Sequence, residues 1–355
     1  MSTDPLPFAD EAGRPTLRTV AEMAGVHVST VSRVLAPSLR PGVRTASKVT
    51  TERIKAIADS LGYSPNPIAA GLRTSRSSLV GVLVPRLTDI VLATIYEGIH
   101  EAARGHGYQT FVANSEDRQP EREAGAEMLL ARRVDGLILG DCTLDSTFAD
   151  SLQQRGIPFV LVSRRSGKHP AVVGDDYAGG RLAAEHLLSL GHTDVGIIAG
   201  EAYASTGVDR TAGFVDAYAK AGINIPDSRI VHSSFDVIGG REASTRLFAS
   251  KPWPTALFAV NDFAAIGTFG TLRGLGLRAG EDIAVVGYND TVLAAELPVP
   301  LTSVHSSMRE MGEKAFELLL SRLNGEPVVS HIIPPTLVVR ESSAGVRSTL
   351  CIGKN

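Results

Sequence analysis

From Leu79 onward, short apolar runs alternate with amphipathic stretches, and the runs are nearly continuous rather than every other residue. LVGVLVP (79–85), VDGLILG (134–140), IPFVLVS (157–163) and AVVGDD (171–176) form one set. DVGIIAG (194–200), RIVHSS (229–234), TALFAV (255–260) and IAVVGYN (283–289) form a second. Unbroken Val/Ile/Leu runs of this length predict strands buried on both faces, hence parallel sheets wrapped by helices. Two such sets predict two doubly wound α/β subdomains with a crevice at the carboxyl ends of the strands.

The first 78 residues carry a different pattern. Helical segments are predicted at about 17–24, 28–36 and 50–61, with Ser47 as N-cap of the third. In LRTVAEMAGVHVSTVSRVL (17–35), Ala21 sits where two helices cross, Gly25 where the chain reverses, and Val31 where the second helix packs back. Glycine suits the reversal because positive φ costs it nothing. This is the logic of a helix-turn-helix, whose second helix enters the DNA major groove. An ordinary helical hairpin has the same spacing, and charge separates the two. Residues 14–76 hold ten Lys/Arg against three Asp/Glu, an excess of +7 in a chain whose total is −3, so the remainder carries −10. A basic head on an acidic body points to a polyanion bound at one end.

Other features limit the picture further. The 355 residues are 43% hydrophobic and 21% charged, enough for two or three globular domains. The acidic, Pro-containing start has no signal-peptide core, and no apolar run approaches the ~20 residues that cross a bilayer. Cys142 and Cys351 match no metal or redox spacing, so the expectation is a cytoplasmic protein without metal, cofactor or membrane partner. GxSxG, HExxH, GxxxxGK[ST] and a post-strand GxGxxG are all absent, so no catalytic residue is predicted and the chain reads as a non-enzyme. Asn66-Pro67 starts a helix of about one and a half turns, too short to hold alone in water and suited to folding against a partner.

AEMAGVHVSTVSRVL (21–35) with ERIKAIADSLGYSPNPIAAGL (52–72) resembles the lactose-repressor family of bacterial transcription regulators. The resemblance resumes in VGDDYAGGRLAAEHLLSLGHTDVGIIAG (173–200), DRTAGF (209–214), ALFAVNDFAAIG (256–267) and DIAVVGYND (282–290), covering roughly residues 16 to 345. It implies a small all-α helix-turn-helix domain joined to an α/β effector domain of type I periplasmic-binding-protein architecture. The implied partners are a palindromic double-stranded operator, a small sugar-like effector and a second copy in a homodimer. Expected bounds are a leader at 1–14, the DNA-binding domain at 15–63, a hinge helix and linker at 64–78, and a tail at 346–355. The effector and dimerisation domain takes 79–345, its N-subdomain at about 79–175 and 307–334 and its C-subdomain at about 176–305 and 335–345.

The resemblance assigns base reading to Val28, Ser29 and Arg33, with Thr30 and Ser32 near the backbone and Leu17, Ser47 and Thr50 completing the head's contacts. Arg33 either forks onto a guanine, worth ~1–3 kcal/mol of discrimination, or touches phosphate. Tyr63, Asn66, Ala69 and Leu72 match the minor-groove hinge, with Leu72 as an apolar wedge or a plain packing residue. His27 replaces the usual Ser/Thr cap, and Thr19 a usual acid. The loop Pro37–Ala46 is about five residues longer than expected, either a phosphate contact through Arg40 and Arg44 or a bare insertion.

For the crevice the resemblance points at Asp89, Val91, Leu92, Ser163, Arg164, Thr206, Arg210, Phe235, Asn261, Asn289 and Ser306. Asp262 reads equally as helix cap or ligand contact, and Phe235 as a sugar-stacking ring or core. Ser163 and Asn289 stand where many relatives carry carboxylates. With Arg164, Arg165 and Arg210 nearby, this predicts an electropositive pocket and a sugar acid or sugar phosphate as effector.

Overall fold

The computed structural model describes residues 15–35, 46–63 and 76–344. They form two compact units, a head and a body that begins at Val80. The head has three helices, α1 (Leu17–Met23), α2 (Val28–Leu35) and α3 (Lys48–Ser60). Val20, Ala21, Ala24, Val31, Ile54 and Ala58 form its core. Gly25 turns the chain at φ +59°, and the Val26 amide donates to the Ala21 carbonyl, closing the end of α1. Thr16 and Thr19 cap one another reciprocally at the start of α1: the Thr19 amide donates to Thr16 Oγ1 at 3.3 Å and the Thr16 amide to Thr19 Oγ1 at 3.0 Å. Thr19, where an acid was expected by resemblance, thus serves its own helix.

The body begins with β1 (Leu79–Val84), α4 (Ile90–Gly105), β2 (Gln109–Asn114), α5 (Gln119–Ala131), β3 (Gly136–Leu139), α6 (Thr147–Gln154), β4 (Phe159–Val162) and β5 (Ala171–Gly174). It continues with α7 (Asp176–Ser189), β6 (Val195–Ala199), α8 (Ser205–Lys220), β7 (Ile230–His232), α9 (Val237–Leu247), β8 (Ala256–Ala259), α10 (Asp262–Gly274), β9 (Ala284–Asn289), α11 (Val292–Glu296) and β10 (Thr302–His305). It closes with α12 (Met308–Leu323), β11 (His331–Ile333), β12 (Thr336–Val338) and α13 (Glu341–Ala344).

The strands form two six-stranded sheets, ordered β11-β5-β4-β3-β1-β2 and β12-β10-β9-β8-β6-β7. The recorded pairings are parallel except β10 with β12, which is antiparallel. Chain order and sheet membership together show three passages between the sheets: β5 to α7, β10 to α12, and β11 to β12. These are two doubly wound subdomains sharing one body. β3, β4, β6, β8 and β9 are buried along their whole length and β1 beyond its first residue, which is why they read as unbroken apolar runs.

Four strands had no counterpart in those runs. β2 is largely exposed and alternates, while β10, β11 and β12 span only three or four residues. β3, β4 and β8 are as short as β10, but these four strands lack an unbroken buried apolar run: β10 is mostly polar and the others are partly exposed. They are strands because a neighbouring strand offers them a hydrogen-bonding edge. Helix α3 also begins two residues ahead of the predicted start, directly after its Ser47 cap.

Helices α7 and α8 cross unusually closely. A Cβ at Gly180 would collide with the Arg210 carbonyl, and one at Gly213 with the Tyr177 carbonyl. The missing side chains let the two backbones meet, which brings Asp176 against Arg210 at the cleft. Among the described residues no helix is long and apolar enough to cross a membrane.

Candidate functional site

In the head, α2 buries Val31 completely and leaves Val28, Ser29 and Arg33 exposed on another face, with Thr30 and Ser32 at its margins. The Arg33 Nε donates to the Ser29 carbonyl one turn back at 3.0 Å. That bond steadies the stem and leaves both Nη groups without a partner among the described residues. His27 does cap α2: its Nδ1 accepts from the Ser29 amide at 3.2 Å and lies 2.8 Å from Ser29 Oγ. Only an imidazole with an unprotonated Nδ1 accepts that amide. Ser47 accepts from the Thr50 amide at 3.2 Å and caps α3, so this pair sits exposed at a helix start, where backbone N–H groups and the dipole favour an anion. Leu17 and Tyr63 are half-buried against the head's core, and burial raises the Tyr63 phenol. Asn66, Ala69, Leu72 and most of the long loop, residues 36–45, lie outside the described residues.

In the body, a cleft of ≈ 440 Å³ opens where the carboxyl ends of β1, β3 and β4 face those of β6, β8 and β9. Ten of the eleven expected residues line it: Asp89, Val91, Leu92, Ser163, Arg164, Thr206, Arg210, Phe235, Asn261 and Asn289. Ser306 lies just below, in a second cavity of about one water's size, and accepts from Asn289 Nδ2 at 3.1 Å. Ser163, directly after β4, and Asn289, the last residue of β9, hold φ +66° and +98°. Non-glycine residues hold such angles at a cost, typically where side chains must be aimed into a site.

Individual roles differ from the expectation. Arg210 lines the cleft but is only 6% exposed and is anchored by its neighbours. Its Nε donates to Asp176 at 2.7 Å, its Nη1 to the Val260 carbonyl at 2.8 Å, and its guanidinium stacks 3.7 Å from the Tyr288 ring centroid. Burial is the largest influence on Asp176 and raises its pKa, with the Arg210 charge opposing. Asn261 is a brace: its Oδ1 accepts from the Ala264 amide and its Nδ2 donates to the Phe235 carbonyl, both at 2.8 Å. It thereby caps α10 and places the Phe235 ring at once.

Asp262 is neither cap nor cleft residue. It is buried beneath, accepting from Ser303 Oγ and the Thr291 amide, and burial pushes its pKa up to about 6. Asp89 caps α4 through the Val91 amide at 2.9 Å, and burial lifts its carboxyl above the ordinary range.

The predicted electropositive pocket is not what forms. Three arginines line the cleft (Arg86, Arg164, Arg210), against four carboxylates (Asp89, Asp117, Glu201, Asp236). Arg164 is held by Asp117, Arg210 by Asp176 and Arg86 by Asp236. Arg165 does not line the cleft and pairs with Asp209. The neutralising acids arrive on separate elements, Asp176 and Asp209 on helices α7 and α8 and Asp117 and Asp236 on connections, where nothing local marks them as partners. For the same reason Asp117, Tyr203 and Asp236 are absent from the sequence expectation. Asp117 sits in the polar stretch SEDRQP, which reads as plain loop. It accepts from both Arg164 Nη groups and from the Tyr203 hydroxyl, and Arg164 holds its pKa below the usual range against the opposing effect of burial.

Residues 16–66 match the model of the bacterial regulatory proteins, lacI family, and residues 184–343 that of the periplasmic binding protein-like domain. The chain is 33% identical over 336 residues to the HTH-type transcriptional repressor PurR of Haemophilus influenzae (strain PittEE), spanning 92% of this chain and 98% of that protein. It is 30% identical over 332 residues to the PurR repressor of Photobacterium profundum, with the same coverage. Among solved structures, the lac repressor dimer bound to operator and the anti-inducer ONPF superposes with a TM-score of 0.83 at 28% identity, covering 93% of this chain and 99% of that one. The complex of the transcriptional regulator CelR with cellobiose gives 0.71 at 31% identity, covering 93% and 100%.

Proposed function

Because the chain belongs to the lacI family of bacterial regulatory proteins, we propose that it is a repressor that grips a palindromic operator as a homodimer and is governed by a carbohydrate-like effector in the cleft. The observation that carries this is the α2 surface, where Val28, Ser29 and Arg33 stand exposed while Val31 is locked in the core. A helix held this way offers small and forked side chains to base edges without unfolding anything. Asn66, Ala69 and Leu72, expected by resemblance to meet the minor groove, lie outside the described residues.

The relatives named PurR and the lac repressor support repression, and CelR with cellobiose supports a sugar effector. Within the sugars, the cleft favours a neutral polyhydroxylated ligand over a sugar acid or phosphate. Its arginines already hold carboxylates, and an added anion would have to displace one of them. Phe235 offers an apolar ring face, and Ser163, Thr206 and Asn289 offer short polar groups at the strand ends.

The test is a mobility shift of the full chain against genomic fragments at two salt concentrations, with and without neutral disaccharides, sugar acids and sugar phosphates. Operator binding should weaken steeply with salt, because phosphate contacts release counterions. One class of sugar should then change it, and reciprocally be bound differently on operator. Indifference to every duplex sequence would remove the proposal.

A further inference from the structure

We propose that Arg164 is a bolt across the cleft, a positioning residue anchored on one subdomain and gripped by two aromatic rings of the other. This rests on the cleft being the effector site. Arg164 follows β4 in the first sheet's subdomain and is 6% exposed. Its Nη1 and Nη2 donate to the two oxygens of Asp117 at 2.7 and 2.9 Å, a fork-to-fork pair. Asp117 follows β2 on the same side. It and Glu116 hold successive left-handed conformations, at φ +57° and +53°, that persist only where the surroundings impose them. Behind Asp117, Arg122 lies 3.4 Å from it and donates through Nε to Asp141 at 2.9 Å, with both members of this second pair buried. The bolt therefore has a rigid seat.

Its other end meets the second sheet's subdomain. The guanidinium carbon lies 5.7 Å from the Tyr203 ring centroid and 5.6 Å from that of Phe235. Tyr203 follows β6 and Phe235 follows β7. The Tyr203 hydroxyl also donates to Asp117 at 2.9 Å, so one side chain covers the guanidinium and fastens its carboxylate partner. Two more pairs span the gap at its rims, Arg86 with Asp236 at 2.8 Å and Arg165 with Asp209 at 2.7 Å. Both involve exposed side chains, where ion pairs contribute little. The interior bolt is the stronger tie.

Phe235 is thus claimed twice, by the guanidinium and by any sugar ring that stacks on it. A ligand that takes this face must dislodge Arg164 and loosen the cleft. One that leaves the guanidinium seated is enclosed by a closed cleft. Arg164 in this way sorts effectors by the side of Phe235 they use, and it converts that choice into subdomain position.

The test needs no effector: amide hydrogen exchange of the intact protein, wild type against Tyr203→Phe and Arg164→Met. Tyr203→Phe keeps the ring and removes only the hydroxyl from a half-exposed side chain, so it folds even where Arg164→Met does not. The expected result is exchange faster by several-fold in Tyr203→Phe and about tenfold in Arg164→Met, in segments on both sides of the cleft: 163–167, 201–207 and 233–236. If the increase stays within 115–122 and 163–167, Arg164 merely braces its own subdomain and the bolt is overturned. No change in Tyr203→Phe also overturns it. A mobility shift on the same samples keeps the two readings apart. Cleft loosening in a protein that binds no DNA defeats the repressor and leaves the bolt, while unchanged exchange in a protein that binds operator defeats the bolt alone.

Discussion

Replacing Arg210 by methionine removes the charge from a side chain that is only 7% exposed. Arg210 and Asp176 meet at 2.7 Å with side chains 7% and 6% exposed. Burial raises the Asp176 pKa, whereas for Arg210 burial lowers the pKa and the Asp176 and Tyr288 interactions together outweigh it. Methionine is long enough to fill much of the space, so the main loss is electrostatic. Removing one partner of a buried pair costs ~3–5 kcal/mol, because the other charge is left uncompensated. The Val260 carbonyl loses a donor as well, adding about 1 kcal/mol. Against a usual total of ~5–15 kcal/mol this is severe but measurable.

The pH dependence identifies the cause. Asp176 without Arg210 has a folded pKa still further above its unfolded value of about 3.9. A carboxyl of that kind binds a proton more tightly when folded, so its penalty is full above the folded pKa and fades as pH falls toward the unfolded one. Urea unfolding of Arg210→Met against wild type should therefore show a larger deficit at pH 7 than at pH 5. Adding Asp176→Asn should recover part of the pH 7 deficit. A deficit below ~1 kcal/mol, or one equal at both pH values, would refute the reasoning.

Arg33→Ala should weaken operator binding by ~1–3 kcal/mol and relax preference at one base pair, read by competition mobility shift at fixed salt; an equal loss across all sequences would make the contact a phosphate one. His27→Ser should slow amide exchange at the start of α2 by a few-fold, since serine caps helices well and needs no particular imidazole protonation. The Asp262 carboxyl should titrate near pH 6 by carbon-13 NMR, because burial raises it to about that value. As its folded pKa exceeds the unfolded one, its contribution should favour folding at pH 4 and lose ground as pH rises through 6, and a midpoint near 4 would contradict the burial argument.

Much of the body was legible because burial on both sheet faces leaves an imprint on each strand separately. β1, β3, β4, β6, β8 and β9 announce themselves as Val/Ile/Leu runs without any knowledge of their neighbours. The head was legible for a similar reason: Ala21, Gly25 and Val31 are each demanded by a local event, a crossing, a reversal and a packing contact. Strands such as β10 and β12 left no such mark. β10 is mostly polar (TSVH) and β12 is short and partly exposed, so they show no apolar run and become strands through their partners' hydrogen bonds.

The cleft divides along the same line. Its members could be named through the family resemblance, and they fall mostly near the carboxyl ends of parallel strands, where side chains can reach a ligand. What each one does there could not. Arg164, Arg165 and Arg210 looked like an unopposed positive cluster because Asp117, Asp209 and Asp176 lie at most 47 residues away but in separate elements. The sequence by itself determined a basic three-helix head, two wrapped parallel sheets and a polar crevice between them. Only the tertiary structure decided the crevice's charge and its cross-cleft clasp. Electrostatic pairing depends on distance through space, and chain order carries no record of which loops will meet.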